Sequence, residues 1–209
     1  MAALPPPPDF QSNSNSNFKS TIMACNLKHV LKGNNECKEN PAGVSNYCMV
    51  VPLNEEYISS IEVMANKNQY DITPADSGTA LKGFRIDFKS QTGQVTSEDN
   101  GAGKGWTHTG TGRVEINEDD MAVLGRTLSN MDGEFLVFFP TGNTVDGKKE
   151  WKVVGNPEGD AAWSTAADSG AARGDDHGTT FTVTCEYQLY EVVKWYGTIE
   201  EEEVSDSSN

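Results

Sequence analysis

The chain has 209 residues and carries 16 Lys and Arg against 31 Asp and Glu, which gives a formal net charge of −15. This length suits one well-packed domain with additional terminal segments. This acidic composition shows no cluster of basic residues of the kind by which proteins bind nucleic-acid backbones. No apolar run in the sequence is long enough to span a bilayer. Such a surface suits solubility, cationic partners, or a wall to which polyanions must not adhere.

The first 46 residues are expected to form a flexible N-terminal arm. Residues 1–21 are rich in Pro and then in Ser and Asn, a composition typical of extended or disordered segments. The chain starts with neither a basic region nor an apolar one, so no signal peptide is expected. Three of the four cysteines lie near the N-terminus and Cys185 lies far away, which favours a reduced, cytosolic product over a disulfide scaffold.

Residues 47–198 are predicted to form a β domain. Apolar or alternating segments predict strands at 47–51, within 58–72, and at 84–88, 106–116, 135–139, 150–154, 181–189 and 192–196. The alternation is most regular in the segment 181–189, where five apolar side chains would share one buried face: Phe181, Val183, Cys185, Tyr187 and Leu189. The run 135–139 is apolar throughout, as a strand buried on both faces would be.

One helix is predicted among these strands. Asn117 or Glu118 could begin it, and the acidic residues of its first turn suit the positive end of the helix dipole. Met121, Leu124 and Leu128 would share one face along 119–130. The Gly-, Ala- and Asp-rich loop 156–178 and the acidic tail 199–209 are expected to be irregular. The predicted fold is therefore mainly β, a sandwich or barrel with one flanking α-helix.

No segment offers a convincing catalytic or metal-binding set. The run 101–105 lacks the Ser or Thr and the first Gly of a phosphate-binding loop. Four potential zinc ligands near the N-terminus lack the close cysteine pairs of structural zinc sites: Cys25, His29, Cys37 and Cys48. The acidic residues of the 156–178 loop fit solvation better than calcium binding or acid–base catalysis. We therefore expect no enzyme activity, no cofactor and no metal.

Two kinds of side chain remain candidates for contacts with other molecules. His108 lies among Thr residues of a predicted strand and is expected at the surface or in an interface. Trp151 is expected in the core, whereas Trp163 lies in the predicted loop and is the best anchor for a neighbouring subunit. If Trp106 and Trp163 shared one exposed flat face, they could instead stack on carbohydrate.

A resemblance to a known family rests on a sequence of elements in the C-terminal half. The run consists of Glu134–Phe139, a turn, Glu150–Gly155, and Asp168–Asp175 leading into Thr180–Thr184. It resembles the tail tube (major tail) proteins of long-tailed bacteriophages, in particular those of phages infecting Bacteroidetes. The resemblance covers about residues 82–197, and a helix before a buried strand fits the same pattern. The first 46 residues match nothing in that family.

This resemblance implies a structural virion protein without enzyme activity. Tail tube proteins form hexameric rings, and the rings stack into a hollow tube through which genomic DNA passes during ejection. The implied partners are other copies of the chain and other phage tail proteins, with DNA passing without specific binding and no membrane contact. The implied location is the virion tail, assembled in the cytoplasm of the bacterial host. An acidic lining agrees with this, since a conduit for a polyanion must not bind it.

The resemblance also suggests roles for individual residues. Strands near 82–97 and 104–117 would line the lumen, with Asp87, Glu98 and Glu115 as lumen-lining candidates. The helix would pack outside the barrel, and the N-terminal arm and the 156–178 loop would join successive rings. The candidates for inter-subunit contacts are Trp163, Asp168, Arg173, Asp175 and Asp176. The alternative is a phage head-decoration protein or a carbohydrate-binding, adhesive β-sandwich module.

Overall fold

The computed structural model describes residues 43–64, 67–76, 78–115, 118–168 and 178–202, in which it places eleven strands and one helix. The predicted fold class, mainly β with one helix, is confirmed. The elements are β1 (Tyr47–Pro52), β2 (Ile58–Met64), β3 (Gln69–Pro74), β4 (Ala80–Asp87), β5 (Gln94–Asp99), β6 (Trp106–Val114), α1 (Glu118–Asn130), β7 (Phe135–Val145), β8 (Lys148–Val154), β9 (Ala162–Asp168), β10 (Gly178–Gln188) and β11 (Val193–Glu201). The N-terminal arm lies outside the described residues up to position 42.

Five strands close into a small barrel in the order β11-β4-β1-β7-β8, because β8 also pairs with β11. The β2–β3 hairpin is attached to β11 by one parallel pair, Lys194 with Gln69. Large apolar side chains from every strand fill the barrel, among them Leu81, Leu136, Phe138, Trp151 and Trp195. Closure gives each of the five barrel strands a paired neighbour on both sides, which limits the free edges at which sheets aggregate.

A second sheet of four strands, in the order β5-β6-β10-β9, packs against the outside of the barrel. Strand β7 lies between the two cores. Phe135, Val137 and Phe139 join the core under the four-stranded sheet, whereas Leu136 and Phe138 point into the barrel. The prediction that the apolar run 135–139 is buried on both faces is therefore confirmed.

Glycines in β6 let aromatic rings approach the four-stranded sheet closely. A Cβ on Gly110 would lie 2.5 Å from the ring of Phe139, and one on Gly112 would lie 2.7 Å from that of Phe181. Phe181 in turn stacks on Trp163 with ring centroids 4.9 Å apart and planes 4° from parallel. The aromatic layer thus fixes the spacing between the barrel and the second sheet.

The helix α1 confirms the predicted helix in position and in buried face. Met121 and Leu128 are buried in the core shared with the four-stranded sheet, and Leu124 packs against that core. The helix lies against β9, where Gly125 faces Thr165 and Trp163. It therefore fills the side of the sandwich that the barrel strands do not reach.

Several expectations about individual segments are wrong. The range 82–97 is not one strand, because β4 belongs to the barrel and β5 to the second sheet. The 156–178 loop contains strand β9, which pairs with β10 from Ala162 to Asp168. The acidic tail starts later than position 199, since Glu200 and Glu201 continue β11 beside β4.

The regular alternation in β10 does not continue to Leu189. Phe181, Val183 and Cys185 are fully buried, but a register shift follows Cys185. Beyond it Tyr187 is 73% exposed and Leu189 is 82% exposed. A bulge inserts an unpaired residue and turns the side chains after it to the opposite face, so the predicted inward position of these two residues is wrong.

Candidate assembly surface

The outward face of the four-stranded sheet is covered by hydroxyl-bearing side chains. We call this surface the threonine face; it consists of Gln94, Thr96 and Glu98 on β5, Thr107, Thr109, Thr111 and Arg113 on β6, Thr180, Thr182, Thr184 and Glu186 on β10, and Ala162, Ser164, Ala166 and Asp168 on β9. Each of these residues is half-buried or exposed. Threonine suits a pleated strand because it is β-branched, and its hydroxyl keeps the surface wet.

The threonine face is arranged in rows across the sheet. Thr111 is opposite Gln94 on one side and opposite Thr182 on the other, and Thr182 is opposite Ser164. Cross-strand Thr pairs of this kind contribute about 0.2–1 kcal/mol each to sheet stability. The rows therefore form a polar face on which short hydroxyl side chains predominate.

Both outer strands of this sheet have a free edge. Within the described part of the chain, β5 pairs only with β6, and β9 pairs only with β10. The Asn100 amide donates to the Gly105 carbonyl at 2.9 Å, so the pair 100–105 is hydrogen-bonded. Bonded and non-bonded pairs alternate along an antiparallel ladder, and Ser97 opposite His108 is therefore a non-bonded pair. The backbone N–H and C=O of Ser97 point away from β6, toward the free edge.

The charges on the threonine face are few and mostly negative. Three carboxylates (Glu98, Asp168 and Glu186) stand against one guanidinium, that of Arg113, which lies 3.7 Å from the Asp168 carboxylate. A polyanion close to this face would meet net repulsion, although the exposed charges are screened by salt.

The three lumen-lining candidates lie on different elements. Glu98 lies on the threonine face near the free edge of β5. Glu115 follows β6 directly, and its carboxylate pairs with Lys89 at 2.8 Å. Asp87 ends the barrel strand β4, where its carboxylate pairs with Arg85 at 2.7 Å. The structure thus brings Glu98 and Glu115 to the four-stranded sheet and leaves Asp87 on the barrel; a lumenal role remains a prediction for all three.

The inter-subunit candidates divide in a similar way. Trp163 lies in β9, is 9% exposed and stacks on Phe181, so the expected loop position is wrong and its ring is already packed within its own chain. Asp168 ends β9, with its side chain 63% exposed. Arg173, Asp175 and Asp176 lie outside the described residues, and their roles remain predictions.

Sequence reasoning missed a second exposed feature, which we call the Tyr187–Leu189 ridge. Tyr187 has φ +58°. This lies in the left-handed region, which an aromatic residue rarely adopts because the conformation costs about 1–3 kcal/mol. The amide of Gln188, which is buried, donates to the Glu186 carbonyl at 2.7 Å and holds the turn. The only sequence signal was Gln188 itself, which is a polar residue between two apolar ones. If the bulge forms, Gln188 becomes buried and its apolar neighbours become exposed.

His108 is fully buried, so its expected surface position is wrong. It points inward from β6, and its Nε2 lies 2.8 Å from the Tyr190 carbonyl, to which it donates in the neutral tautomer. Burial lowers the pKa of His108, against the opposing effect of the Tyr190 carbonyl and the Glu191 carboxylate. The contact ties the end of the ridge to β6.

Other titratable groups in the body are held in structural roles. Glu150 is buried where β7 shifts register, and it accepts hydrogen bonds from Thr141, Asn143 and Tyr196. Burial alone would raise the pKa of Glu150, but these hydrogen bonds and Lys194 lower it. Burial raises the pKa of Cys185 to about 12, so its thiol stays protonated. Glu150 thus joins β8 to β7 and β11, and neither group is arranged as a nucleophile with an adjacent base.

Within the described ranges, no three potential ligands are grouped around a metal-sized space. No helix in the same ranges has both the length and the apolar character needed to cross a membrane. The surface features that remain without a role inside the folded chain are the threonine face, its two free edges and the Tyr187–Leu189 ridge. Comparisons with protein-family models, with curated proteins and with solved structures found no match.

Proposed function

We propose that this protein is a structural subunit that assembles into stacked, hexameric rings, forming a phage tail tube through which genomic DNA passes. The observation that carries the proposal is the four-stranded sheet, which has a polar outward face and, among the residues that the structure describes, a free edge on each side. The resemblance to tail tube proteins described above supplies the kind of assembly. The chain would act in the virion tail after assembly in the host cytoplasm.

The free edges explain how a ring could close. The β5 edge of one copy would pair with the β9 edge of the next, so that the four-stranded sheets join into one continuous barrel. Such a contact joins two different edges of the subunit. Repeating it forms a closed ring when the rotation from one copy to the next divides a full turn evenly. Closure would also remove the last exposed edges of the sheet.

The composition of the threonine face explains why it suits a lumen. Short hydroxyl side chains leave the wall smooth, and three carboxylates against one guanidinium repel a phosphate backbone. Arg113 is the single basic residue of this described face, and its guanidinium lies beside the Asp168 carboxylate, so the face offers few of the basic contacts that hold DNA. Other candidate functions gain less from the structure: a carbohydrate platform built from Trp106 and Trp163 is not formed, because the ring of Trp163 is stacked on Phe181.

The first test is direct imaging of the purified protein by negative-stain electron microscopy. Rings or tubes are expected, with a size distribution in sedimentation velocity that shifts upward with protein concentration. A monodisperse monomer across salt and concentration would contradict the proposed function.

The second test blocks the β5 edge without disturbing the fold. Ser97→Pro removes an N–H that points toward the free edge, and Pro is tolerated on edge strands at such positions. We expect S97P to remain folded and monomeric where the wild type assembles. The matched control is Ser97→Ala, since the Ser97 hydroxyl has no hydrogen-bond partner in the described structure, and S97A should assemble normally. Assembly of S97P at the wild-type concentration would show that this edge is not used.

A further inference from the structure

The two edges of the four-stranded sheet that have no partner strand among the described residues run in opposite directions. Strands β5, β6, β10 and β9 follow one another in that order, and every neighbouring pair is antiparallel. Because the number of strands is even, β5 at one edge is antiparallel to β9 at the other. A second copy placed beside the first in the same orientation therefore presents its β9 antiparallel to β5, as in the other pairs of the sheet.

The free backbone groups of β5 belong to its odd-numbered residues. Ser97 and His108 form a non-bonded pair, so the N–H and C=O of Ser97 point away from β6. The same holds for the residues two positions away on either side, because the geometry of a strand repeats every two residues. The groups that a neighbouring strand could bond are those of Val95, Ser97 and Asp99.

The free backbone groups of β9 follow from the same alternation carried across the sheet. His108 does not bond β5 and therefore bonds Cys185 on β10, which leaves the even-numbered residues of β10 to bond β9. The Ser164 hydroxyl donates to the Thr182 carbonyl at 3.4 Å, which agrees with a Thr182 carbonyl that points toward β9. The groups of β9 that are left for a neighbour belong to Trp163, Thr165 and Ala167.

The two edges match in length at one register. Strand β5 has six residues, Gln94–Asp99, and β9 has seven, Ala162–Asp168. With Gln94 opposite Asp168, every residue of β5 has a partner on β9. A shift of two residues in either direction keeps the hydrogen-bond pattern but leaves at least one residue of β5 beyond the end of β9. A shift of one residue would turn the side chains of one strand to the wrong face.

The same register gives the strand tilt that closed barrels have. A row straight across one sheet passes through Gln94, Thr111, Thr182 and Ser164. Asp168 lies four residues beyond Ser164 on β9, so pairing it with Gln94 of the next copy adds a stagger of four residues for every four strands. A shear equal to the strand number corresponds to a tilt of about 36°, as in eight-stranded barrels with a shear of eight. This relation holds for any number of copies in the ring.

We propose that β5 of one copy pairs antiparallel with β9 of the next in this register, with Gln94 opposite Asp168. Ser97 and Thr165 then form the central hydrogen-bonded pair of the contact. The inference rests on the proposed ring assembly and adds the register in which the copies meet. The Gln94 amide donates to the Asp168 carboxylate, whose side chain is 63% exposed in the single subunit.

The side chains of the threonine face fit this register. Thr96 lies opposite Ala166, and Glu98 lies opposite Ser164. All four are exposed in the single subunit, so the edges can approach without first uncovering them. No two like charges are directly opposite across the contact, an arrangement that would destabilise a strand pair.

Cysteine cross-linking tests the register directly. Thr96→Cys with Ala166→Cys places two thiols in a non-bonded pair, in which Cα atoms lie about 4.5 Å apart and a disulfide can form. Mild oxidation of the assembled T96C/A166C protein should link each copy to both neighbours. Non-reducing gels should then show a series of linked species that ends at the number of copies in the ring.

The matched controls keep Thr96→Cys and move the second cysteine by two residues, to Ser164→Cys or to Asp168→Cys. In the proposed register these pairs are diagonal, with Cα atoms about 7–8 Å apart, which is beyond the reach of a disulfide. Neither control should give the series of linked species. The single variants T96C and A166C measure any background from the protein's own cysteines.

A second experiment uses charge. Gln94→Glu places a carboxylate opposite Asp168 and should raise several-fold the protein concentration needed for half-maximal assembly in sedimentation velocity. Thr96→Glu adds the same charge opposite Ala166 and should raise that concentration less, because like charges that are directly opposite destabilise a strand pair most. Equal effects of the two variants would contradict the pairing of Gln94 with Asp168.

The outcomes separate the register from the ring. If a shifted cysteine pair links the copies and T96C/A166C does not, the register is wrong and the ring proposal stands. If electron microscopy shows rings but none of the three pairs links them, the two edges do not meet, and the register fails while the rings stand on another contact. If the wild type forms no rings at any concentration, both proposals fail.

Discussion

At the scale of single residues, His108 is the clearest example of a polar side chain whose role depends on burial. It is enclosed between β6 and the turn that follows β10, with one nitrogen bonded to Tyr190. The Nδ1 atom has no partner among the described residues. A buried imidazole with one bonded nitrogen is stable as the neutral ring, and a proton on the other nitrogen would be a buried charge.

The fold should therefore lose stability when His108 is protonated. Because its pKa is lower in the folded protein than in the unfolded chain, the unfolded chain binds the proton first as pH falls. The free energy of unfolding should decrease below about pH 6.5, the usual value for unfolded histidine. Urea titrations at pH 7.5 and pH 5.5 measure this, and His108→Gln should show a smaller difference between the two. An equal pH dependence in H108Q would assign the effect to other groups.

At the scale of elements, two glycines with the same chemistry should respond to substitution in opposite ways. Gly110 lies under the Phe139 ring, and a Cβ would lie 2.5 Å from it, in a fully buried layer. Overpacking a core in this way costs about 1–3 kcal/mol. Gly125 lies within α1, where a Cβ would meet Thr165 at an ordinary 3.7 Å, and alanine is favoured over glycine in a helix by about 1 kcal/mol.

We therefore expect Gly110→Ala to lower the urea midpoint of unfolding and Gly125→Ala to raise it. S97P provides a non-assembling background if its assembly is blocked as proposed, so that unfolding is measured on single subunits. A urea midpoint for G110A equal to or above that of the S97P protein would show that the barrel and the four-stranded sheet can move apart without loss of stability. Such a result would contradict the role given to the aromatic layer.

Element positions followed from sequence where burial pattern and local propensity agree. The helix at 118–130 was predictable because its apolar residues repeat with the helical period, and the doubly buried start of β7 because its residues are apolar without interruption. Strand β9 was not, because Ala162–Asp168 contains one large apolar residue, Trp163, and takes its strand form from pairing with β10. The end of β10 was mispredicted because a bulge depends on tertiary contacts, here those of Gln188, His108 and Gly105.

At the scale of the whole molecule, the sequence indicated an acidic surface but not its distribution. The division of the strands into a closed barrel and an open sheet depends on which strands pair, and alternation alone does not determine pairing. The threonine face became visible only when β5, β6, β9 and β10 were shown to share one sheet. The sequence predicts strands near 82–97, 104–117 and 181–189 and a loop at 156–178 for most of these residues, but it does not indicate that they share one face.

The threonine face leads to a prediction about the tube that we propose. If the threonine face lines the lumen, short DNA duplexes should not be retained by wild-type tubes, even at low salt, where phosphate contacts are strongest. Thr111→Lys with Thr184→Lys would place two cations diagonally on the face, in rows that are not directly opposite. Tubes of this variant should bind duplexes, and binding should weaken steeply as salt is raised.

Co-sedimentation of tubes with a labelled duplex between 50 and 300 mM salt, concentrations over which several phosphate contacts lose orders of magnitude in affinity, measures this directly. The matched control is Val123→Lys on α1, which adds a cation away from the threonine face. If V123K retains as much DNA per added lysine as the variant with two lysines does, DNA binds to the outer surface of the assembly. The threonine face would then not line a conduit. Retention by wild-type assemblies would contradict the proposal of a non-adhesive wall, since a lumen that binds its polyanion would slow the proposed passage.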